Sequence, residues 1–111
     1  MDFYSASTSN TQINVKGYRV ENLNGVSIYY TDKEVNAVID HKQNLLSCAD
    51  NEWRTLSVSS IPNGLLPKMH QFSSLMDNRI KIRVNVNGTI QYQSSTYLTN
   101  QLIQCNLCWF I

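Results

Sequence analysis

The stretch RIKIRVNVNGTIQY, from Arg79 to Tyr92, constrains this chain more than any other segment. Ile80, Ile82, Val84 and Val86 occupy every second position, Asn87-Gly88 interrupts, and Ile90 and Tyr92 resume the alternation. A period of two places alternate side chains on opposite faces of a strand. The segment therefore reads as a hairpin with one face in a core. Its register follows from the hydrophobic pattern, because a slip of one residue turns every side chain over. A two-residue Asn-Gly turn would pair Val86 with Thr89 and set Val84 beside Gln91, apolar against polar. A three-residue Val86-Asn87-Gly88 loop pairs Asn85 with Thr89, Val84 with Ile90 and Ile82 with Tyr92. It also places Gly88 at the loop's third position, which needs a left-handed residue. The three-residue loop is preferred. The core face then carries Ile80, Ile82, Val84, Ile90 and Tyr92. Arg79, Lys81, Arg83 and Asn85 face outward, opposite Gln91 and Gln93.

Similar alternation recurs along the chain. Ile13 and Val15, then Tyr18 and Val20, precede a turn signal at Leu23-Asn24-Gly25. Val26, Ile28 and Tyr30 follow on one face, with Ser27 and Tyr29 on the other. Val35, Ala37 and Ile39 alternate after the polar turn Thr31-Asp32-Lys33. Leu45-Leu46-Ser47-Cys48 is ambiguous. Trp53, Thr55, Ser57 and Ser59 share a face opposite Leu56 and Val58, and Trp53 is expected in the core. Ile61-Pro62-Asn63-Gly64-Leu65-Leu66-Pro67 is a loop, and a final run spans about 101–111. A helix is arguable only at 68–77, where Met69, Phe72, Leu75 and Met76 fall at helical spacings; Ser73-Ser74 and the nearby proline weigh against it. The pattern predicts an all-β fold, an antiparallel β-sandwich or jelly-roll-like head of roughly seven to nine short strands. Residues 1–11 are polar and aperiodic and read as a linker or the end of a neck or shaft element. Residues 12–111 read as one domain.

Composition narrows the function classes. Charged residues are only 15% of the chain and net charge is +1, so no basic field favours nucleic acid. Asn, Ser, Thr and Gln supply the polar surface, which suits neutral polar ligands. No apolar run approaches the roughly 18 residues that a membrane helix needs. The start MDFYSASTSNTQ lacks the charged and apolar regions of a signal peptide, so none is expected. The three cysteines, an odd number, fit a reducing compartment better than a disulfide framework.

No motif announces catalysis or a cofactor. Cys105-Asn106-Leu107-Cys108 has the spacing of a metal or dithiol site, but it lies in a run of strand character. Residues i and i+3 of a strand point to opposite faces, so both sulfurs are not expected to reach one metal. His41 and His70 are the only histidines, and no serine sits in a nucleophile-elbow context. Asp32, Glu34, Asp40, Asp50, Glu52 and Asp77 all lie in or next to expected turns, where solvated carboxylates are usual. The aromatics carry more information: Trp53, Trp109 and the tyrosines offer flat apolar faces with polar edges, suited to sugars and equally to core packing. Trp109 and Phe110 are adjacent and must face opposite ways. The same holds for Tyr29 and Tyr30. Tyr97 is the aromatic expected to be most exposed.

The order of motifs resembles a known family. A strand from Val35 to Ile39 precedes Trp53-Arg54-Thr55-Leu56. Then come Ile61-Pro62-Asn63-Gly64-Leu65-Leu66-Pro67, the hairpin with Gly88-Thr89-Ile90, and a terminal strand. Over about 26–111 this is similar to the C-terminal head domains of bacteriophage tail fibres and receptor-binding proteins. Those heads show a tryptophan strand, a proline-glycine-proline loop and a glycine-threonine hairpin. The loop departs from that pattern in having Ile61 before its first proline.

The resemblance implies a non-enzymatic receptor-binding head, acting in host adhesion by binding a bacterial surface saccharide such as wall polysaccharide or teichoic acid. It implies a homotrimer, joined to other tail or baseplate proteins through its N-terminal side, with no nucleic acid and no membrane insertion. It places the protein at the tail tip of the virion after synthesis in the host cytoplasm. The alternatives are a structural trimerisation cap with no ligand and a small cell-wall hydrolase. Loops combining exposed aromatics with amides and charges are the candidate saccharide contacts: His70, Gln71, Asp77, Asn78, Arg79, Tyr97 and Asn100.

Overall fold

The computed structural model describes residues 18–111. The readings for 1–11 and for Ile13, Val15 and Gly17 lie outside the described residues. Among the described residues, eight strands run in order: β1 (Arg19–Leu23), β2 (Val26–Tyr30), β3 (Glu34–Leu45), β4 (Arg54–Thr55), β5 (Gln71–Leu75), β6 (Ile80–Val84), β7 (Ile90–Ser94) and β8 (Leu98–Phe110). They form two antiparallel four-stranded sheets, ordered β1-β2-β3-β8 and β4-β7-β6-β5. The fold is an all-β sandwich. Strands β5 and β8, at the edges of the two sheets, approach each other and close one side.

The opening hairpin has the register its pattern dictates. Ile82 pairs with Tyr92 and Val84 with Ile90. Beyond them, Asn85 N–H donates to the Thr89 carbonyl at 2.9 Å, and Gly88 N–H to the Asn85 carbonyl at 2.9 Å. Gly88 has φ +93°, a conformation nearly reserved for glycine. Its carbonyl accepts from Ile61 N–H at 2.9 Å, so the hairpin tip is clamped to the proline loop. That loop contains a 3₁₀ turn at Asn63–Leu65, which buries Leu65.

Strands β3 and β8 form the long spine of the first sheet. Val35 opposes Trp109, Ala37 opposes Leu107 and Ile39 opposes Cys105, which turns this row inward. It packs on Ile80, Ile82, Val84, Ile90 and Tyr92 of the second sheet in one continuous core, to which Leu56, Ile61 and Leu65 belong. Burying an isoleucine completely is worth about 1.5–3 kcal/mol, and Ile28, Ile80, Ile82 and Ile103 are all fully buried. The polar atoms of two aromatic core residues have partners. Trp109 Nε1 donates to the Leu65 carbonyl at 2.8 Å, and Tyr92 Oη accepts from Leu46 N–H at 3.1 Å. Phe110, next to Trp109, is 76% exposed, as the parity of a strand requires. Tyr29 is buried, paired with Val20 on the face opposite Ile28, while Tyr30 is half-buried against the core.

Two readings left open by the sequence are resolved, and one expectation needs correction. Segment 68–77 is not helical: Gln71–Leu75 is the strand β5, paired with β6. The helical spacing arose by chance among Met69, Phe72 and Leu75, and pairing with the adjacent strand overrides so weak a local preference. The ambiguous Leu45 ends β3 and is fully buried. Asp40, expected next to a turn, lies within β3 opposite Gln104.

Candidate functional site

Cross-strand partners in an antiparallel sheet share a face. The register of the second sheet therefore fixes which side chains leave the core. Phe72, Arg83, Gln91 and Thr55 form one outward row, and Ser74, Lys81 and Gln93 the next. Arg54 pairs with the buried Tyr92, so its neighbour Trp53 has outward parity. Trp53 was expected in the core. It stands half-buried on the outer face instead, because β4 is only two residues long and its inward position is Arg54.

These side chains meet above the middle of the sheet. Trp53 and Phe72 come from its two opposite edges, and their ring centroids are 6.0 Å apart at 56°. Phe72 is 61% exposed, far more than a packing role would leave it. The Arg83 guanidinium lies over the Trp53 ring, 4.3 Å from its centroid. Arg83 Nε and Nη2 both donate to Gln91 Oε1, at 3.0 and 2.5 Å, and Asn85 Nδ2 donates to the same oxygen at 2.6 Å. Gln91 thus has its carbonyl fully engaged. Its amide N–H groups have no protein partner among the described residues. Gln93 Nε2 donates to the Glu52 carbonyl at 3.0 Å, which anchors the segment carrying Trp53. The result is an aromatic ridge bordered by outward amide and guanidinium donors.

Comparisons with protein-family models, curated proteins and solved structures found no match. Any functional reading therefore rests on the residues and their geometry.

The structure distributes the candidate residues over three places. His70 stands at the Phe72 end of the ridge, edge-on to that ring at 6.5 Å and 80°, and its Nδ1 accepts from Val86 N–H at 3.3 Å. Gln71 pairs with the buried Val84, so its parity is inward, and its amide donates to the Met69 carbonyl at 3.0 Å. Asp77, Asn78 and Arg79 form the β5–β6 turn at the far end of the strand, in which Met76, Asp77 and Asn78 are all left-handed. Asn78 and Arg79 line a cavity of about 300 Å³ with Asp50, Lys81, Gln93 and Ser95. Tyr97 is 52% exposed, before β8 begins. Asn100 lies on the other sheet, where its N–H donates to Asn44 Oδ1 at 2.8 Å. His70, Asn78 and Arg79 thus border the outer face of the second sheet, whereas Tyr97 and Asn100 do not join it.

The sequence pattern does not single out Phe72, Arg83 and Gln91 as candidates, and it places Trp53 in the core rather than half-buried on the outer face. Arg83 and Gln91 were assigned correctly to the outer face of the hairpin. Their meaning depended on aromatics from both sheet edges, which local pattern does not bring together. Cys105 and Cys108 do face opposite ways. Cys105 packs against the core, and burial pushes its thiol up to about 11. Cys108 is exposed, and its pKa is raised by partial burial and by the Glu34 carboxylate. Among the described residues, no group of three or more His, Cys, Asp or Glu side chains is placed to hold a metal ion.

Proposed function

We propose that this chain is the receptor-binding head of a bacteriophage tail fibre, and that it holds a bacterial surface saccharide on the outer face of the β4-β7-β6-β5 sheet. The observation that carries this reading is the Trp53–Phe72 ridge, flanked by the Arg83, Asn85 and Gln91 network. A sugar ring presents an apolar face and a polar rim. An exposed aromatic beside fixed hydrogen-bond donors matches both at once. The resemblance of the motif order to that of tail-fibre heads supports the same reading. Binding is non-enzymatic, the head is a homotrimer, and its N-terminal side joins the rest of the tail. Each single site is weak, and copies on one virion raise avidity by about 10² to 10⁴.

A wall-polysaccharide pull-down with wild-type chain and the Trp53→Ala variant tests the reading. Binding without release of reducing sugar, weakened at least about tenfold in the variant, supports it. Steady release of reducing sugar would replace it with the hydrolase. Light scattering that finds a stable trimer binding no envelope polysaccharide would replace it with the ligand-free cap. Phe110 and Leu102 are each exposed on β8, where a neighbouring copy could cover them.

A further inference from the structure

The ridge does not end at the aromatics. Lys81 lies between two hollows: one of about 220 Å³ that it lines with Phe72, Ser73 and Ser74, and the cavity of about 300 Å³ at the β5–β6 turn. The second holds two cations, Arg79 and Lys81, against a single carboxylate, Asp50. Among the described residues, the ion pair of Arg54 with Glu52 at 3.3 Å engages neither cation. Gln93 and Ser95 add neutral polar groups to the wall, and Asn78 is presented from left-handed backbone at φ +72°.

Resting on the saccharide reading of this face, we infer that the ligand is an anionic glycan of at least two sugar units. One unit stacks on the Trp53–Phe72 ridge. The negatively charged group of the next, a phosphodiester or a uronate carboxylate, sits between Arg79 and Lys81. Lys81 makes the two subsites contiguous, so the polymer runs along the strands from Phe72 towards the β5–β6 turn. Charge-assisted hydrogen bonds from a guanidinium and an ammonium supply the discrimination against neutral glycans. The Asp50 carboxylate accepts from a ring hydroxyl.

The test is amide chemical-shift mapping of the ¹⁵N-labelled chain. Inorganic phosphate and acetate, each titrated alone, probe the pocket. Di- to tetragalacturonate, short poly(glycerol phosphate) and neutral maltotetraose then probe the whole face. Phosphate or acetate is expected to shift Asn78, Arg79, Lys81 and Ser95 saturably in wild type and in Trp53→Ala alike, and not in the Arg79→Gln/Lys81→Gln variant. One of the two anionic oligomers is expected to bind at least about tenfold more tightly than maltotetraose, and the one that does so distinguishes uronate from phosphodiester. That preference should vanish in the double variant. Absence of saturable shifts at the pocket, or equal binding of neutral and anionic oligomers, overturns the anionic subsite and leaves the ridge reading intact. Normal anion shifts with no oligomer binding at Trp53 or Phe72 overturn the ridge reading and the two-unit ligand together.

Discussion

The guanidinium of Arg83 lies 4.3 Å from the centre of the Trp53 ring while two of its nitrogens donate to the side-chain oxygen of Gln91. One side chain therefore fixes both a stacking surface and an amide. The planar fork of arginine makes this possible, since a lysine ammonium has no face to lay on the indole and no paired donors. Trp53 lies just before β4 and Gln91 lies in β7, and Arg83 ties them at the surface rather than through the core.

This relationship predicts the behaviour of Arg83→Lys. Its stability should change by no more than about 1 kcal/mol, because an exposed cation–π contact is worth about that or less. Saccharide binding should nevertheless fall several-fold as Trp53 and Gln91 lose their common support. Urea denaturation and a binding titration on the same sample read the two effects separately. A variant that binds like wild type would remove Arg83 from the site.

Gly88→Ala should destabilise by more than about 1 kcal/mol. The added carbon would lie 2.6 Å from the Ile61 carbonyl oxygen and 2.9 Å from Leu66 Cδ2, at a φ of +93°. The denaturation midpoint should drop without a change in slope. A neutral substitution would mean that the hairpin tip and proline loop separate at little cost.

Trp109→Phe keeps the aromatic body and removes one donor. The buried Leu65 carbonyl then loses its 2.8 Å partner, and a loss of about 1–3 kcal/mol is expected. Phe110→Ser, one residue further on, alters an exposed side chain and should leave the stability of the isolated fold within about 0.5 kcal/mol.

The thiols should separate by reactivity. In native buffer at pH 8, iodoacetamide should modify exposed Cys108 well before Cys105, which burial holds neutral to about 11. Glu34→Gln should speed the Cys108 reaction, because the carboxylate that favours its protonated form is gone. The folded state holds the Cys105 proton more tightly than the ordinary thiol value of 9.0. This stabilisation is complete below pH 9 and is lost as pH rises from 9 towards 11. Mass spectrometry of the labelled peptides and urea melts across that range check both.

Much of the fold is legible in the sequence, for a local reason. In the Arg79–Tyr92 hairpin, side-chain alternation, Asn-Gly turn chemistry and the need for a common apolar face all demand one register, and the structure has it. Trp109 and Phe110 divide by the same parity rule. Segment 68–77 stays ambiguous in the sequence because Phe72 and Leu75 are strand residues that happen to be three apart, and only pairing with β6 decides between the two periods. Trp53 misleads because β4 is too short for a period to show, so its direction is set by the contact of Arg54 with Tyr92. The ridge is illegible for a related reason. Its members lie at positions 53, 72, 83 and 91, and meet only because β4 and β5 become the opposite edges of one sheet.

The central claim is that the Trp53–Phe72 ridge binds bacterial saccharide. The most direct test is a glycan array of bacterial surface saccharides, probed with fluorescently labelled wild-type chain and with the Trp53→Ala/Phe72→Ala variant at matched folded concentration. Wild type should bind a defined set of saccharides, and the variant should lose at least about tenfold in affinity for every one of them. Equal binding by both proteins would contradict the account.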